Sequence, residues 1–310
     1  MNSRFTALLH REWLQHRRGW LVLMVAPASV LGLLSLFEGA LQIQVGAQSA
    51  DVSNMTAMPA LLQASLMTLA VGLVTLALAV LSVLFQLPGL ARRDQDDRSI
   101  DFWRAMPVSD TRSVAATLLS HVLVFPWAAL VAGLLGGVLS TALLVGTSHG
   151  LMAWLDLPWA TLLPSVLALL LRLSVGLVLA LLWLSPLLMG AMLASAALRR
   201  WGVPVLAAVL FAATRLLDPR LPVPLVQPAL KTMGSEALQA LVRIDAFSAL
   251  EHITSAEADA VLNLLQTLPA GLWQDTIATA AQAATPGFAL AVLGGALGFA
   301  SLAAMRRRHG

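Results

Sequence analysis

Several uninterrupted apolar runs, each close to or above the length of a bilayer crossing, constrain this chain more than any other sequence feature. A helix of about 20 apolar residues crosses the hydrocarbon core of a membrane. Hydrophobic residues make up 58% of the 310 residues, and the mean hydropathy is +0.82. One soluble domain could not bury that much apolar surface, so the sequence predicts an all-α, polytopic integral membrane protein.

Charge asymmetry sets the orientation of the predicted spans, because cytoplasmic loops carry an excess of Arg and Lys. Six transmembrane helices with both termini in the cytoplasm place 14 of the 19 basic residues inside. The run 161–198 is counted once, as one long helix or a broken one, because two spans there would put Arg199 and Arg200 outside. A kink is expected in the third span near Pro126. The predicted spans are 19–37, 60–87, 113–145, 161–198, 201–217 and 287–304.

This count divides the chain into four regions. In residues 1–18, apolar side chains fall at helical spacing between basic ones, which predicts an N-terminal interfacial amphipathic helix; the alternative is a basic flank that only fixes orientation. Residues 19–217 hold transmembrane helices one to five. Residues 218–285 are moderately polar and predict a small outer, extracytoplasmic helical subdomain. Residues 286–310 form the last transmembrane helix and a basic cytoplasmic tail.

The sequence argues against several chemistries. Without cysteine, the chain has no disulfide, thiolate metal site or thiol nucleophile. The phosphate-binding pattern G-x-x-x-x-G-K-[ST] is absent, and the sole lysine, Lys231, follows no glycine loop. The six histidines are scattered and show no H-E-x-x-H or other ligand spacing, so structural roles are expected for them. We predict no catalytic residue, no metal ligand, no cofactor bound by this chain and no nucleic acid partner.

The connector between the second and third predicted spans, residues 91–112, is the one long charged segment between two long apolar runs. It carries five Arg and five Asp, with apolar and aromatic residues among them. An apolar cluster on an exposed segment usually marks a contact surface, so we predict a short helix here that docks a soluble partner. The alternative is a solvated loop whose charges aid topology. The predicted docking residues are Asp97, Arg98, Ile100, Asp101, Phe102, Trp103, Arg104, Met106 and Pro107.

Arg172 is the one basic residue deep within a predicted span, since Arg215 marks the outer end of the fifth. It follows Thr161 by eleven residues, or roughly 16 Å along a helix, which is too deep for easy snorkelling. One interpretation places Arg172 on a cargo pathway, with Glu38 as a second pathway residue. The other interpretation is a structural ion pair or hydrogen bond with Glu38, Asp156 or the carbonyl of a broken helix, or a shallower position at the outer interface.

These features together resemble a type-2 ATP-binding-cassette (ABC) transporter permease subunit. The topology is similar over the whole chain: an N-terminal amphipathic helix, six spans, a charged connector after the second span and a helical insertion before the last. The match in sequence is concentrated in RSI at 98–100 and MPVS at 106–109. At Ser99 and Ile100 the family often has Gly-Thr.

The resemblance implies a permease subunit of an ABC exporter in the bacterial cytoplasmic (inner) membrane. It implies a homodimer, or a pair with a similar permease, bound to two copies of a cytoplasmic ABC ATPase and surrounded by membrane lipids. ATP and Mg²⁺ would be held by the ATPase, so this chain is not expected to be an enzyme. ATP hydrolysis would move the coupling helix at 97–106 as a lever and drive a lipid, glycan, peptide, drug or antibiotic outward.

A membrane scaffold or assembly factor is the alternative function. Such a protein anchors a cytoplasmic ATPase and transmits a mechanical signal without moving cargo. Arg172 and the very long run 161–198 favour transport, because both are easier to explain around a cavity.

Overall fold

A computed structural model describes residues 3–36, 59–91, 109–244, 258–281 and 283–308. All regular secondary structure in these ranges is helical, which confirms the all-α prediction. The α-helices are α1 (Ser3–Leu34), α2 (Ala60–Leu90), α3 (Asp110–Leu118), α4 (Phe125–Ser148), α5 (Leu151–Leu155), α6 (Trp159–Leu198), α7 (Gly202–Ala212), α8 (Val226–Val242), α9 (Ala258–Ala281) and α10 (Pro286–Arg308).

Five helical runs in the described ranges are long and apolar enough to cross a membrane. This supports a multi-pass membrane protein, whereas the count of six remains a prediction. The difference arises at the predicted fourth and fifth spans, because both belong to one helical run, Trp159–Arg220. Within it, α6 is one unbroken helix of 40 residues that contains Pro164 and Pro186.

The chain reverses direction at the end of α6. Arg199 has a positive φ of 54°, and a 3₁₀ turn, Arg199–Trp201, leads into α7. A Cβ on Gly202 would lie 2.4 Å from the backbone nitrogen of Ser195, so only glycine permits this close approach. Farther along, Leu206 approaches Gly190. These pairings run in opposite senses, so α7 returns antiparallel to α6.

Small side chains allow α2 and α4 to pack closely. A Cβ on Gly133 would lie 2.7 Å from the Cβ of Thr75, and one on Gly137 would lie 2.8 Å from the Cα of Thr68. Both threonine hydroxyls donate to carbonyls of their own helix, so neither leaves a polar group unsatisfied in the contact. Close approach over small residues is typical of packed membrane helices, because it increases van der Waals contact.

The N-terminal region is one continuous helix. Residues 1–18 were expected to lie in the interface before a separate first span, but α1 runs without a break from Ser3 to Leu34. It packs parallel to α3 and α4: Trp20 stacks on Phe125, and farther along the Ser140 hydroxyl donates to the carbonyl of Ala28 over 3.0 Å. The amphipathic part of α1 and its apolar part therefore share one helix axis.

A kink was expected near Pro126, and the structure has a wide helical turn just before this residue. A π-helical segment, Leu119–Val124, separates α3 from α4, and Pro126 is the second residue of α4. Proline has no N–H to donate to the carbonyl four residues earlier. In a π turn the backbone N–H groups bond instead to carbonyls five residues earlier, so the regular α-helical pairing is already interrupted before Pro126.

The helices of residues 218–285 pack along α6. On α8, Ala237 lies in a buried cluster with Ala180 and Trp183, while on α9 the carbonyl of Leu265 accepts a hydrogen bond of 3.0 Å from the Ser165 hydroxyl. After α9, helix α10 continues along the second half of α6 in the same direction, since Gly287 lies near Trp183 and Gly298 near Met189. The separate outer subdomain therefore remains a prediction.

Asp218 organises the start of α8. Its carboxylate accepts hydrogen bonds from the backbone N–H groups of Leu225, Val226 and Gln227, at 3.0, 2.9 and 2.6 Å. The first N–H groups of a helix have no partner within the helix, so this buried carboxylate acts as their cap.

We expect Asp218→Ala to lower the melting temperature of the purified protein in detergent, because three N–H groups lose their acceptor. Asp218→Asn should have a smaller effect, since one carbonyl oxygen remains. Lys231→Ala, at an exposed position of the same helix, is the control. If Asp218→Ala melts no earlier than Lys231→Ala, the cap does not stabilise α8.

Candidate functional site

The predicted docking residues, from Asp97 to Pro107, lie outside the described residues, and so does Glu38. The helices on both sides of the connector are described. α2 ends at Leu90 and α3 begins at Asp110. The positions of these two ends show which part of the bundle the connector leaves and re-enters.

Both connector ends lie at the same end of the bundle. Leu87 near the end of α2, Val114 on α3, Met192 near the end of α6 and Leu302 near the end of α10 form one buried cluster. One basic pair and one basic triplet follow this cluster closely: residues 199–200 after α6 and 306–308 at the end of α10. The described ends of α2 and α3 therefore lie at the same end of the bundle as these basic residues.

Arg172 is fully buried against the end of α8. The side chain is 1% exposed, and its guanidinium donates to the carbonyl of Ala240 at 2.8 Å and to that of Arg243 at 2.6 Å. The last carbonyls of a helix lack donors within it and form the negative end of the helix dipole. The guanidinium supplies both the donors and the positive charge.

Gly176 makes the Arg172 contact possible. It lies one turn after Arg172 on α6, and a Cβ at this position would fall 2.2 Å from the Ala240 carbonyl oxygen. Any side chain here would push α8 away from α6. The acceptors of the two bonds of Arg172 are carbonyls at the end of α8, which neither interpretation of the sequence had named. The role of Arg172 on a cargo pathway remains a prediction.

A second buried polar cluster joins α1 to α3 and the π turn. Glu12 and His121 are 0% and 1% exposed, and His16 is half-buried. Glu12 Oε2 lies 3.9 Å from His121 Nδ1, and Thr117 donates to Glu12 Oε1 at 3.2 Å. Arg11 forms an ion pair with the same carboxylate oxygen, Oε1.

Aromatic rings enclose this cluster. The rings of His16 and His121 meet edge to face with centroids 4.6 Å apart. Trp20 stacks on His16 on one side and on Phe125 on the other, and its edge meets His121 at 5.2 Å. These rings limit access of water to the carboxylate and strengthen its electrostatic interactions.

Sequence reasoning did not single out this cluster. The histidines were considered scattered, yet the fold brings two of the six together. Glu12 and His16 stand four residues apart, which places them on one face of a helix, and this spacing was the available local signal. His121 is more than 100 residues away, and no local pattern connects it with the other two.

An apolar cleft that is open to the surface lies between α2, α6 and α9. The hydroxyls of Ser65, Thr68 and Ser165 on its wall donate to backbone carbonyls. The wall therefore offers a nearly uniform hydrocarbon surface. Its lining consists of Leu62, Ser65, Leu66, Thr68, Leu69, Leu162, Ser165, Val166, Leu169, Leu264, Leu265 and Leu268.

Comparison with known proteins adds no assignment. No protein-family model matches the chain, and no curated protein or solved structure is significantly similar to it. The assignment of function therefore depends on the residues and contacts described above.

Proposed function

We propose that this chain is the transmembrane permease subunit of an ABC exporter in a bacterial inner membrane. In this function a homodimer of the chain binds two copies of a cytoplasmic ATPase. The ATPase holds ATP and Mg²⁺, and its closure displaces the connector and rearranges the helices. The cargo moves outward, and this chain carries out no bond chemistry.

The position of the connector carries the proposal. Its two ends meet at the basic end of the bundle, where α2, α3, α6 and α10 share one buried cluster. A force applied to the connector would thus reach α2, α3, α6 and α10 through packed side chains. A connector that reached only one helix would couple an ATPase to the bundle poorly.

The apolar cleft supports a cargo with a hydrocarbon part. Its wall has no hydroxyl directed at an incoming polar group, since Ser65, Thr68 and Ser165 donate to backbone carbonyls. Lipids, and antibiotics or peptides with acyl or aliphatic portions, fit such a surface better than free glycans. Within the cargo classes of the proposal, we therefore favour amphipathic molecules.

We expect Trp103→Ala and Arg98→Glu to leave membrane insertion intact and to reduce ATPase copurification at least tenfold. Trp103 supplies the largest apolar side chain of the predicted docking helix, and charge reversal at Arg98 repels an acidic partner surface. Trp201→Ala and Arg92→Glu are matched controls, because Trp201 is 62% exposed beyond the end of α6 and Arg92 lies outside the predicted docking residues. The measurement is the ratio of ATPase to permease after tandem affinity purification.

Unchanged copurification in both variants would contradict docking through the connector. Transport is tested separately, by reconstituting the complex in vesicles and following the outward movement of amphipathic substrates on ATP addition. A stable complex that hydrolyses ATP and moves none of them would favour the scaffold function instead.

A further inference from the structure

We propose that Glu12, His16 and His121 bind a first-row divalent transition-metal ion, with Zn²⁺ the expected ion. The ion would join α1 to the π turn between α3 and α4. This site is independent of the proposed transport function, because every ligand lies on the described helices and none lies in the connector.

The three side chains have the spacing that a metal site requires. One ligand atom from each lies within 4.8 Å of the other two. An ion at the centre of a triangle of that size would be about 2.8 Å from each atom, whereas Zn–N and Zn–O bonds are about 2.0–2.2 Å. An inward shift of less than about 1 Å per side chain, well within rotamer adjustment, closes the site.

Neighbouring groups already orient these ligands. His16 Nδ1 lies 3.3 Å from the carbonyl oxygen of Glu12, and His121 Nδ1 lies 3.0 Å from that of Thr117. An imidazole that donates one N–H to a carbonyl keeps a lone pair on its other nitrogen, and metal-binding histidines are commonly held in this way.

The carboxylate can serve both its present partners and a metal. Thr117 and Arg11 contact Oε1 of Glu12, while Oε2 lies 3.9 Å from His121 Nδ1, the nitrogen that faces the Thr117 carbonyl. A carboxylate offers about four lone-pair sites over its two oxygens, so coordination through Oε2 need not displace the contacts at Oε1. Those contacts would then hold the ligand in place.

The ligand types select the ion class. Imidazole suits Zn²⁺, Cu²⁺, Ni²⁺ and iron, whereas Ca²⁺ and Mg²⁺ prefer sites built of oxygen atoms alone. Two imidazoles and one carboxylate form a common Zn²⁺ set with a fourth position for water. The half-buried ring of His16 provides the entry from the surface.

The test measures metal content in purified, tag-free protein. After incubation with Zn²⁺ and dialysis, we expect about one Zn²⁺ per chain by elemental mass spectrometry, and a higher melting temperature with Zn²⁺, since a ligand that binds only the folded state stabilises it. His16→Ala and His121→Gln should each weaken Zn²⁺ binding at least tenfold. His10→Ala, at an exposed position on the same helix, should bind as the wild type does.

Co²⁺ supplies a second readout, because ligand-field absorption of a four-coordinate ion with nitrogen ligands differs from that of hydrated Co²⁺. We expect this spectrum in the wild type and in His10→Ala, and its loss in His16→Ala. If His121→Gln fails to fold, His16→Ala decides the result, since its ring is only half-buried. Less than stoichiometric Zn²⁺ in the wild type, or equal binding by His16→Ala and His10→Ala, would overturn the proposal.

Discussion

Replacement of Arg172 by leucine is expected to lower the free energy of unfolding by roughly 2 kcal/mol or more. The substitution removes the donors of two hydrogen bonds, to the carbonyls of Ala240 and Arg243. A buried polar group left without its partner costs about 1–3 kcal/mol. Because both carbonyls belong to the end of α8, that helix should detach from α6 first. Thermal unfolding in detergent and protease susceptibility near residue 240 are the measurements.

Two further variants separate the anchoring role of Arg172 from a role on a cargo pathway. Gly176→Ala keeps the positive charge but places a methyl group where the Ala240 carbonyl now lies. Arg172→Lys keeps the charge but loses the planar fork that reaches two carbonyls at once. An anchoring role predicts that both variants lose stability as Arg172→Leu does. A cargo role predicts that Arg172→Leu loses transport while both charge-retaining variants keep it at normal membrane levels.

We expect Gly137→Ala to destabilise the bundle by about 1–3 kcal/mol, the usual range for overpacking. The new methyl group would meet backbone atoms of Thr68, 2.8 Å from its Cα and 2.9 Å from its carbonyl oxygen. Backbone cannot move aside as a flexible side chain can, so α2 and α4 must separate. The measurement is the melting temperature in detergent.

Gly146→Ala is the matched control for this prediction. It is the same substitution on the same helix, but the new Cβ would have no atom within 4 Å beyond its chain neighbours and the local helix backbone. Alanine favours helix over glycine by about 1 kcal/mol, so the control should be neutral or slightly stabilising. Equal melting temperatures for the two variants would show that the α2 and α4 contact tolerates separation.

The lengths of the apolar runs predicted most of the helices, because a long apolar segment in a bilayer must satisfy its backbone hydrogen bonds internally, as a helix does. The run 161–198 was expected to be a long or broken helix and is the single helix α6, Trp159–Leu198. Helix α1 continues through residue 18, because a change from amphipathic to apolar composition does not interrupt backbone hydrogen bonds; the interfacial position of residues 1–18 stays a prediction. The packing of α8 and α9 along α6 was not predicted, because residues 218–285 are only moderately apolar.

The contacts of individual polar residues could not be predicted for a physical reason. Arg172 was recognised as unusual because burying a charge is costly, yet its partners are backbone carbonyls, which every residue possesses and no residue type marks. Glu12 and His121 meet because α1 lies parallel to the third span in one particular register. Hydrophobic pattern defines which face of a helix is buried, but it leaves the axial register between two helices open.

The π turn at Leu119–Val124 sets both the axial position and the rotation of α3 relative to α4. A π turn holds about one residue more than an α turn. Rewinding this segment as regular α-helix, with no change in sequence, would rotate α3 by about 100° relative to α4. α1 contacts both sides of this joint, through Glu12 with Thr117 and through Ala28 with Ser140, so it can satisfy both only at the present angle. The contacts of α1 thus hold the rotation of α3 relative to α4 at its present value. Weakening the Glu12 contacts would lower the resistance to twisting, and the chain entering α3 at Asp110 would turn with it.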